Sequence, residues 1–347
     1  MNINNIEIGL RKKPFIIAEM SGNHNQSFDK AIKIVESAAK VGVDAIKLQT
    51  YTADTITLNI RKNEFMINDK NSLWNGKTLY DLYEQAHTPW DWHEPIMKKA
   101  KELGILCFSS PFDETSVEFL EELNVPAYKI ASPEIIHLPL IEKIASTGKP
   151  MIISTGMASL SEINDAVDII RTQNNSEFAL LKCTSSYPAS PIESNIISIP
   201  NMRRLYDCEV GLSDHTFGVG APIAAVAHGA TIIEKHFTLK RSDGGVDSAF
   251  SLEPNEMELL VNETERAWQA LGNIHYGATK NEKRTLMYRR SIYISENIQR
   301  GDLLNEENIK IIRPALGLPP KYYNLVIGKK IKRNIKKGTP LSWDLIL

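Results

Sequence analysis

Cysteine is scarce in this chain: Cys107, Cys183 and Cys208 are all there is in 347 residues. An odd number with no C-x-x-C spacing excludes a disulfide framework, argues against a structural zinc site and suits a reducing cytoplasm. Long apolar runs are missing too. Nothing approaches the roughly 18 apolar residues of a membrane span, and the opening "MNINNIEIGLRKKPFIIAEM" carries charges where a signal peptide needs an apolar core. The chain therefore reads as soluble, with no membrane partner. Charge of one sign is also lacking. The 40 Lys and Arg nearly balance 42 Asp and Glu, for a net charge of -2, so nucleic acid is not an expected partner and any basic site must be local. Finally, no G-x-G-x-x-G follows the first apolar run, which counts against an open dinucleotide-binding sheet.

What is present is an alternation. Between Pro14 and Gly272, eight short apolar runs alternate with stretches of helical period: "FIIAEM", "DAIKLQTY", "ILCFSS", "AYKIAS", "PMIISTG", "FALLKCTS", "EVGLSD" and "TIIEKHF". Runs apolar throughout suit strands buried on both faces, as in a parallel sheet. Helix signals stand between them, with Ser27 and Thr88 as N-caps, Pro89 at a first turn, and Gly42 and Gly104 as stops. Eight βα units in about 260 residues predict a (β/α)8 TIM barrel, class α/β, over residues 1–272. The second βα connection, 52–87, is oversized. It reads either as a lid over the strand C-termini or as a surface excursion.

Past Gly272 the pattern breaks. Residues 273–289 read as a polar linker. In 290–347 the pattern I-x-x-N-I-x-x-G-x-x-L-x-x-x-x-I occurs twice, from Ile294 and from Ile331, at a constant offset of 37. This predicts a small β-rich module with pseudo-twofold symmetry. Its lysine run "GKKIKRNIKKG" reads as solvated surface rather than a binding patch.

Barrel enzymes place working side chains where strands end. Here those ends carry Glu19, then Asn23 and His24; Lys47 and Gln49; Ser109 and Ser110; Lys129, Ser132 and Glu134; Ser154 and Thr155; Thr184, Ser185, Ser186 and Tyr187; Ser213, Asp214 and His215; Glu234 and His236. Unpaired burial of such groups costs roughly 1–3 kcal/mol each, so they need partners. His215 and His236 end adjacent strands. They could converge on one divalent metal, with Mn²⁺ suited to mixed nitrogen and oxygen ligation and His24 as a third participant, or they could be ordinary hydrogen-bonded histidines. Lys47 and Lys129 with Ser132, Ser154 and Ser213 form a candidate phosphate cradle. The rival is a Schiff-base aldolase with either lysine as nucleophile.

Seven motifs in order, "IIAEMSGNH", "AIKLQTY", "YKIASPE", "IISTGM", "CTSSYP", "GLSDHT" and "EKHFT", resemble the sialic acid synthase family, and the C-terminal repeat with "IIRPALGL" resembles its antifreeze-like SAF (β-clip) domain. Within the family, "IKLQTYTADTITL" and "ASPEIIHLPLI" look most like pseudaminic acid synthases, with N-acetylneuraminate and legionaminate synthases as alternatives. Ile135 and Ile136 make an apolar pair compatible with a deoxy sugar. The resemblance implies condensation of phosphoenolpyruvate with an N-acetylated amino sugar. It implies a metal, Mn²⁺, on His215 and His236; phosphoenolpyruvate contacts from Lys47, Lys129, Ser132, Ser154 and Ser213; and sugar contacts from Gln49, Tyr187 and Asp247. Ser185 and Glu234 join the substrate-binding group, and Glu19 and Glu134 handle protons and the attacking water. Also implied is a domain-swapped homodimer in which Arg313 of one chain caps the other chain's barrel.

Overall fold

The computed structural model describes residues 1–70 and 72–347. Among them, eight parallel strands close into a barrel: β1 (Phe15–Glu19), β2 (Ala45–Thr50), β3 (Leu106–Pro111), β4 (Tyr128–Ile130), β5 (Met151–Ser154), β6 (Phe178–Cys183), β7 (Glu209–Asp214) and β8 (Ile232–His236), with β8 pairing β1. This is the closed α/β barrel expected of eight βα pairs, not the open sheet. Chain contacts divide the protein into two compact units, Met1–Gly272 and Asn273–Leu347. No helix of the described residues is long and apolar enough to cross a membrane.

Strand residues alternate between the barrel interior and the helix layer. Ile16, Ala18, Ile46, Leu48, Val210 and Leu212 pack outward into one core with residues such as Ile34 and Val35 of α1 (Phe28–Lys40). The other parity, including Phe15, Ile17, Ala45, Phe108, Ile152 and Leu181, forms a separate apolar plug joined by Ile3 and Ile8 of the N-terminal hairpin. Position 211 faces inward and takes glycine, since a Cβ there would stand 2.7 Å from Leu181 Cδ2.

Ser27 caps α1, its side chain accepting from the Lys30 N–H at 3.3 Å. Thr88 does not cap. No side chain caps the turn at Trp90–Trp92 or the helix His93–Glu102, and the Thr88 hydroxyl instead meets His24 Nε2 at 3.2 Å.

In the second unit, β9 (Ser291–Ile294) pairs antiparallel with β10 (Ile309–Ile312). The repeat appears as symmetric bonding. The Gly301 N–H donates to Ile331 O as the Gly338 N–H does to Ile294 O, both at 2.8 Å, and Ile298 pairs with its own equivalent, Ile335. Asn334 Oδ1 caps the Arg300 N–H and Asn297 Oδ1 the Lys337 N–H, at 2.8 and 2.9 Å. The repeated isoleucines and leucines are buried together.

Candidate functional site

Above the apolar plug the inward parity turns polar. Glu19, Lys47, Ser110, Lys129, Ser154, Ser213, Glu234 and His236 are all buried. Lys47 Nζ lies 2.5 Å from Glu19 Oε2 and donates to Ser110 Oγ at 3.3 Å. Lys129 Nζ donates to Ser154 Oγ at 2.6 Å and to Ile130 O at 2.8 Å. Glu234 Oε1 stands 3.9 Å from both ammonium groups and accepts from Ser213 Oγ at 3.1 Å, while Gln49 donates to Glu19 Oε1 at 3.0 Å. The two lysines of the candidate cradle are thus balanced by two carboxylates of the same basin.

The charges follow from this geometry. Burial disfavours the Lys47 ammonium, but Glu19 and Glu234 overcome it and raise its pKa. For Lys129, burial prevails over Glu234, and the pKa falls. Burial would raise Glu234, yet Lys129 and Lys47 hold it below the usual carboxylate range. Burial pushes Glu19 up to about 7 against the pull of Lys47. The cluster holds fixed ammonium and hydroxyl donors in a buried interior, with the two carboxylates balancing the two ammoniums.

Parity also removes residues from the site. Ser109 and Asp214 face outward. The Ser109 hydroxyl meets Thr50 Oγ1 at 2.6 Å, which in turn meets His93 Nε2 at 2.8 Å, and Asp214 pairs with Lys235.

His215 and His236 do come together, with ring centroids 5.3 Å apart. His215 Nδ1 lies 2.9 Å from Thr184 O. A carbonyl only accepts, so Nδ1 carries a proton and Nε2 is the nitrogen left for a metal. Burial would lower the ring's pKa, but Cys183, the Thr184 carbonyl and Glu234 outweigh it and raise the pKa. Nδ1 of His236 is buried without a hydrogen-bond partner, 3.8 Å from Asp247 Oδ2, and burial drives the ring's pKa well down, leaving it neutral. Among the described residues no three His, Cys, Asp or Glu side chains converge as a metal cluster. Two adjacent imidazoles, one of them neutral with an orphaned nitrogen, fit an ion that takes its other ligands from water or substrate oxygens. His24 does not join them. Its Nε2 meets Thr88, and its Nδ1 accepts from the Gln26 N–H at 3.1 Å.

Around the rim, Ser132 Oγ and Glu134 Oε2 are buried without partners. Burial raises the Glu134 carboxyl to about 7. Gly156 lies against both Ser132 and Ser185: a Cβ on it would stand 2.5 and 2.6 Å from their hydroxyl oxygens. Tyr187 lies 4.4 Å from His215 and 6.2 Å from Trp74, ring centroid to centroid. Trp74 belongs to the oversized connection, of which residue 71 lies outside the described residues. Its indole N–H donates to Val246 O at 2.9 Å, which places this part of the segment over the strand ends, as a lid requires. Asp247 is bonded by the Ser21 hydroxyl. Ile135 is buried in the barrel–helix core and Ile136 is 61 % exposed, so the two side chains point to different surroundings. Arg313 is exposed and enters no ion pair among the described residues.

Sequence reading missed Gly156, Ser21, Phe250 and Cys183. Phe250 lies 5.0 Å from the His236 ring. Cys183 was signalled by inward parity after Ala179 and Leu181, and its Sγ lies 3.9 Å from His215 Nδ1.

Residues 34–276 match the model of the NeuB family. The chain belongs to the NeuB family. Residues 289–347 match the SAF domain. This NeuB-family chain is 44% identical over 331 residues to a pseudaminic acid synthase of Campylobacter jejuni, covering 95% of this chain and 96% of that one. It is 42% identical over 332 residues to a pseudaminic acid synthase of Helicobacter pylori, covering 95% and 97%. Among solved structures it is similar to the N-acetylneuraminic acid (sialic acid) synthetase of Leptospira borgpetersenii in complex with citrate, at TM-score 0.73 and 34% identity, covering 83% of this chain and 95% of that one.

Proposed function

We propose that the chain is a pseudaminic acid synthase, a transferase that condenses phosphoenolpyruvate and water with 2,4-diacetamido-2,4,6-trideoxy-L-altrose to give pseudaminic acid and phosphate. The observation that carries this is identity of 42–44% to two pseudaminic acid synthases over nearly the whole chain, against 34% to the sialic acid synthetase.

The residues divide the work by chemistry. Lys47 and Lys129, with Ser132, Ser154, Ser185 and Ser213, bind the anionic groups of phosphoenolpyruvate. Gln49, Tyr187 and Asp247 orient the open-chain sugar, and Glu234 holds the two ammoniums in place. His215 and His236 would hold a divalent cation, which we take to be Mn²⁺ and which would supply Lewis-acid polarisation of the sugar aldehyde. As C3 of phosphoenolpyruvate bonds to the aldehyde carbon, the carbonyl pair moves to the aldehyde oxygen, which takes a proton from Glu19, and the positive charge that develops at C2 is compensated by the Glu234 carboxylate. Water adds to C2 and loses its proton to Glu134, whose raised pKa suits a base working near neutrality. The C2 hydroxyl of the tetrahedral intermediate then gives up its proton, which passes to the departing phosphate, as the C2–O bond to phosphate breaks, leaving the 2-keto acid. Both lysine ammoniums are engaged by carboxylate or hydroxyl groups, which favours this route over a Schiff base.

We also place the protein in the cytoplasm, which its three free thiols suit, and read it as a domain-swapped homodimer. The test is phosphate release across a panel of hexoses. The diacetamido trideoxy altrose is expected to give the higher kcat/KM. A higher value for N-acetylmannosamine would reassign the chain to the sialic acid branch.

A further inference from the structure

The ladder between β7 and β8 stops one residue short of the candidate metal site. Its last paired positions are Ser213 with Glu234 and Lys235 with Asp214, so His215 lies beyond the register. His236 is held on both sides by backbone bonds, Phe237 N–H to Glu19 O and Leu252 N–H to His236 O, each 2.8 Å. His215 has one such bond, accepting from the Ala189 N–H at 3.0 Å. Lys235 supplies what is missing. From the outward face, its Nζ reaches both the carboxylate of Asp214 and the carbonyl of Thr216, the residues on either side of His215. Thr216 closes the loop by donating to Asp214 from its N–H at 3.1 Å and its hydroxyl at 3.0 Å. Lys235, Asp214 and Thr216 are all buried, at 1, 3 and 1 % exposure.

We propose that Lys235 and Asp214 are positioning residues: a buried clamp that fixes the backbone on both sides of His215 relative to His236, and so sets the separation of the two imidazoles. This rests on the reading of those histidines as the metal pair. A buried ion pair is a poor source of stability, since its desolvation offsets its attraction. Control of geometry is the role that its placement serves, because metal affinity depends on ligands held by their surroundings.

The test compares wild type with Asp214→Asn/Lys235→Met, which removes both charges and strands neither. Chelator-stripped proteins are titrated with Mn²⁺ by calorimetry, and separately with phosphoenolpyruvate without metal. The double variant is expected to keep its near-ultraviolet circular dichroism and its phosphoenolpyruvate affinity but to bind Mn²⁺ at least tenfold more weakly. Thr216→Val, which removes a single hydroxyl donor, is expected to lose affinity in the same direction, and it decides the matter if the double variant does not fold. Mn²⁺ affinity within twofold of wild type in the folded variant overturns the clamp alone. A wild type that takes up no Mn²⁺ overturns the metal reading and the clamp with it.

Discussion

Gly156 lies so close to Ser132 that a Cβ built on the glycine would stand 2.5 Å from the serine oxygen, and 2.6 Å from that of Ser185 on the next loop. Its φ of +41° adds a second reason for glycine, since a side chain in the left-handed region is strained by about 1–2 kcal/mol. Gly156→Ala is therefore expected to push both hydroxyls away from the anion that they would bind. Steady-state kinetics should show the KM for phosphoenolpyruvate rising about tenfold or more, with the sugar KM much less affected. An unchanged phosphoenolpyruvate KM would remove Ser132 and Ser185 from the anion site.

Glu134 links function to stability with opposite signs. Burial raises its carboxyl from 4.5 to about 7. Below 4.5 folded and unfolded chains are both protonated there. Between pH 4.5 and about 7 the unfolded chain ionises this carboxyl while the folded chain still holds it protonated, so stability falls across that window and stays lower above it. As the base, Glu134 should make kcat climb across the same window. Glu134→Gln is expected to lose that limb and about 10²–10⁴ in kcat, and to melt higher than wild type at pH 8 but not at pH 4. A pH–rate profile and two melting curves check both. Retention of the wild-type profile in the glutamine variant would assign the proton to another group.

The eight strands were legible because each is buried on both faces and so reads as an apolar run. The interior basin was nearly legible, since polar residues at alternate positions of such runs have only the barrel mouth to face. Counting by twos from Glu234 and Ser213 would have sent Asp214 and Ser109 outward, and would have brought Cys183 in. That count fails where strands end. Ile135 follows β4 in a 3-10 turn, and His24 ends another after β1, so the face that each presents is set by the turn and not by strand period. Glu234 between the lysines was visible only as a strand-end residue, because its neighbours come from β2 and β4.

Arg313 raises the question of which site it serves. It is exposed, and no carboxylate holds it within 4.0 Å among the described residues, so the alternative of a structural ion pair inside its own unit has no partner. In the proposed homodimer it acts on the barrel of the other chain. Arg313→Ala and His236→Ala would each be prepared as inactive homodimers and then mixed under conditions that exchange subunits. If the arginine acts in trans, each heterodimer contains one site that joins an intact barrel to an intact arginine. Random exchange should then restore about a quarter of wild-type activity, from two proteins that have none alone. If it acts within its own chain, every site in the mixture carries a defect. Heterodimers demonstrated by mass, with no recovery of phosphate release, would sink the shared site and confine Arg313 to its own protomer.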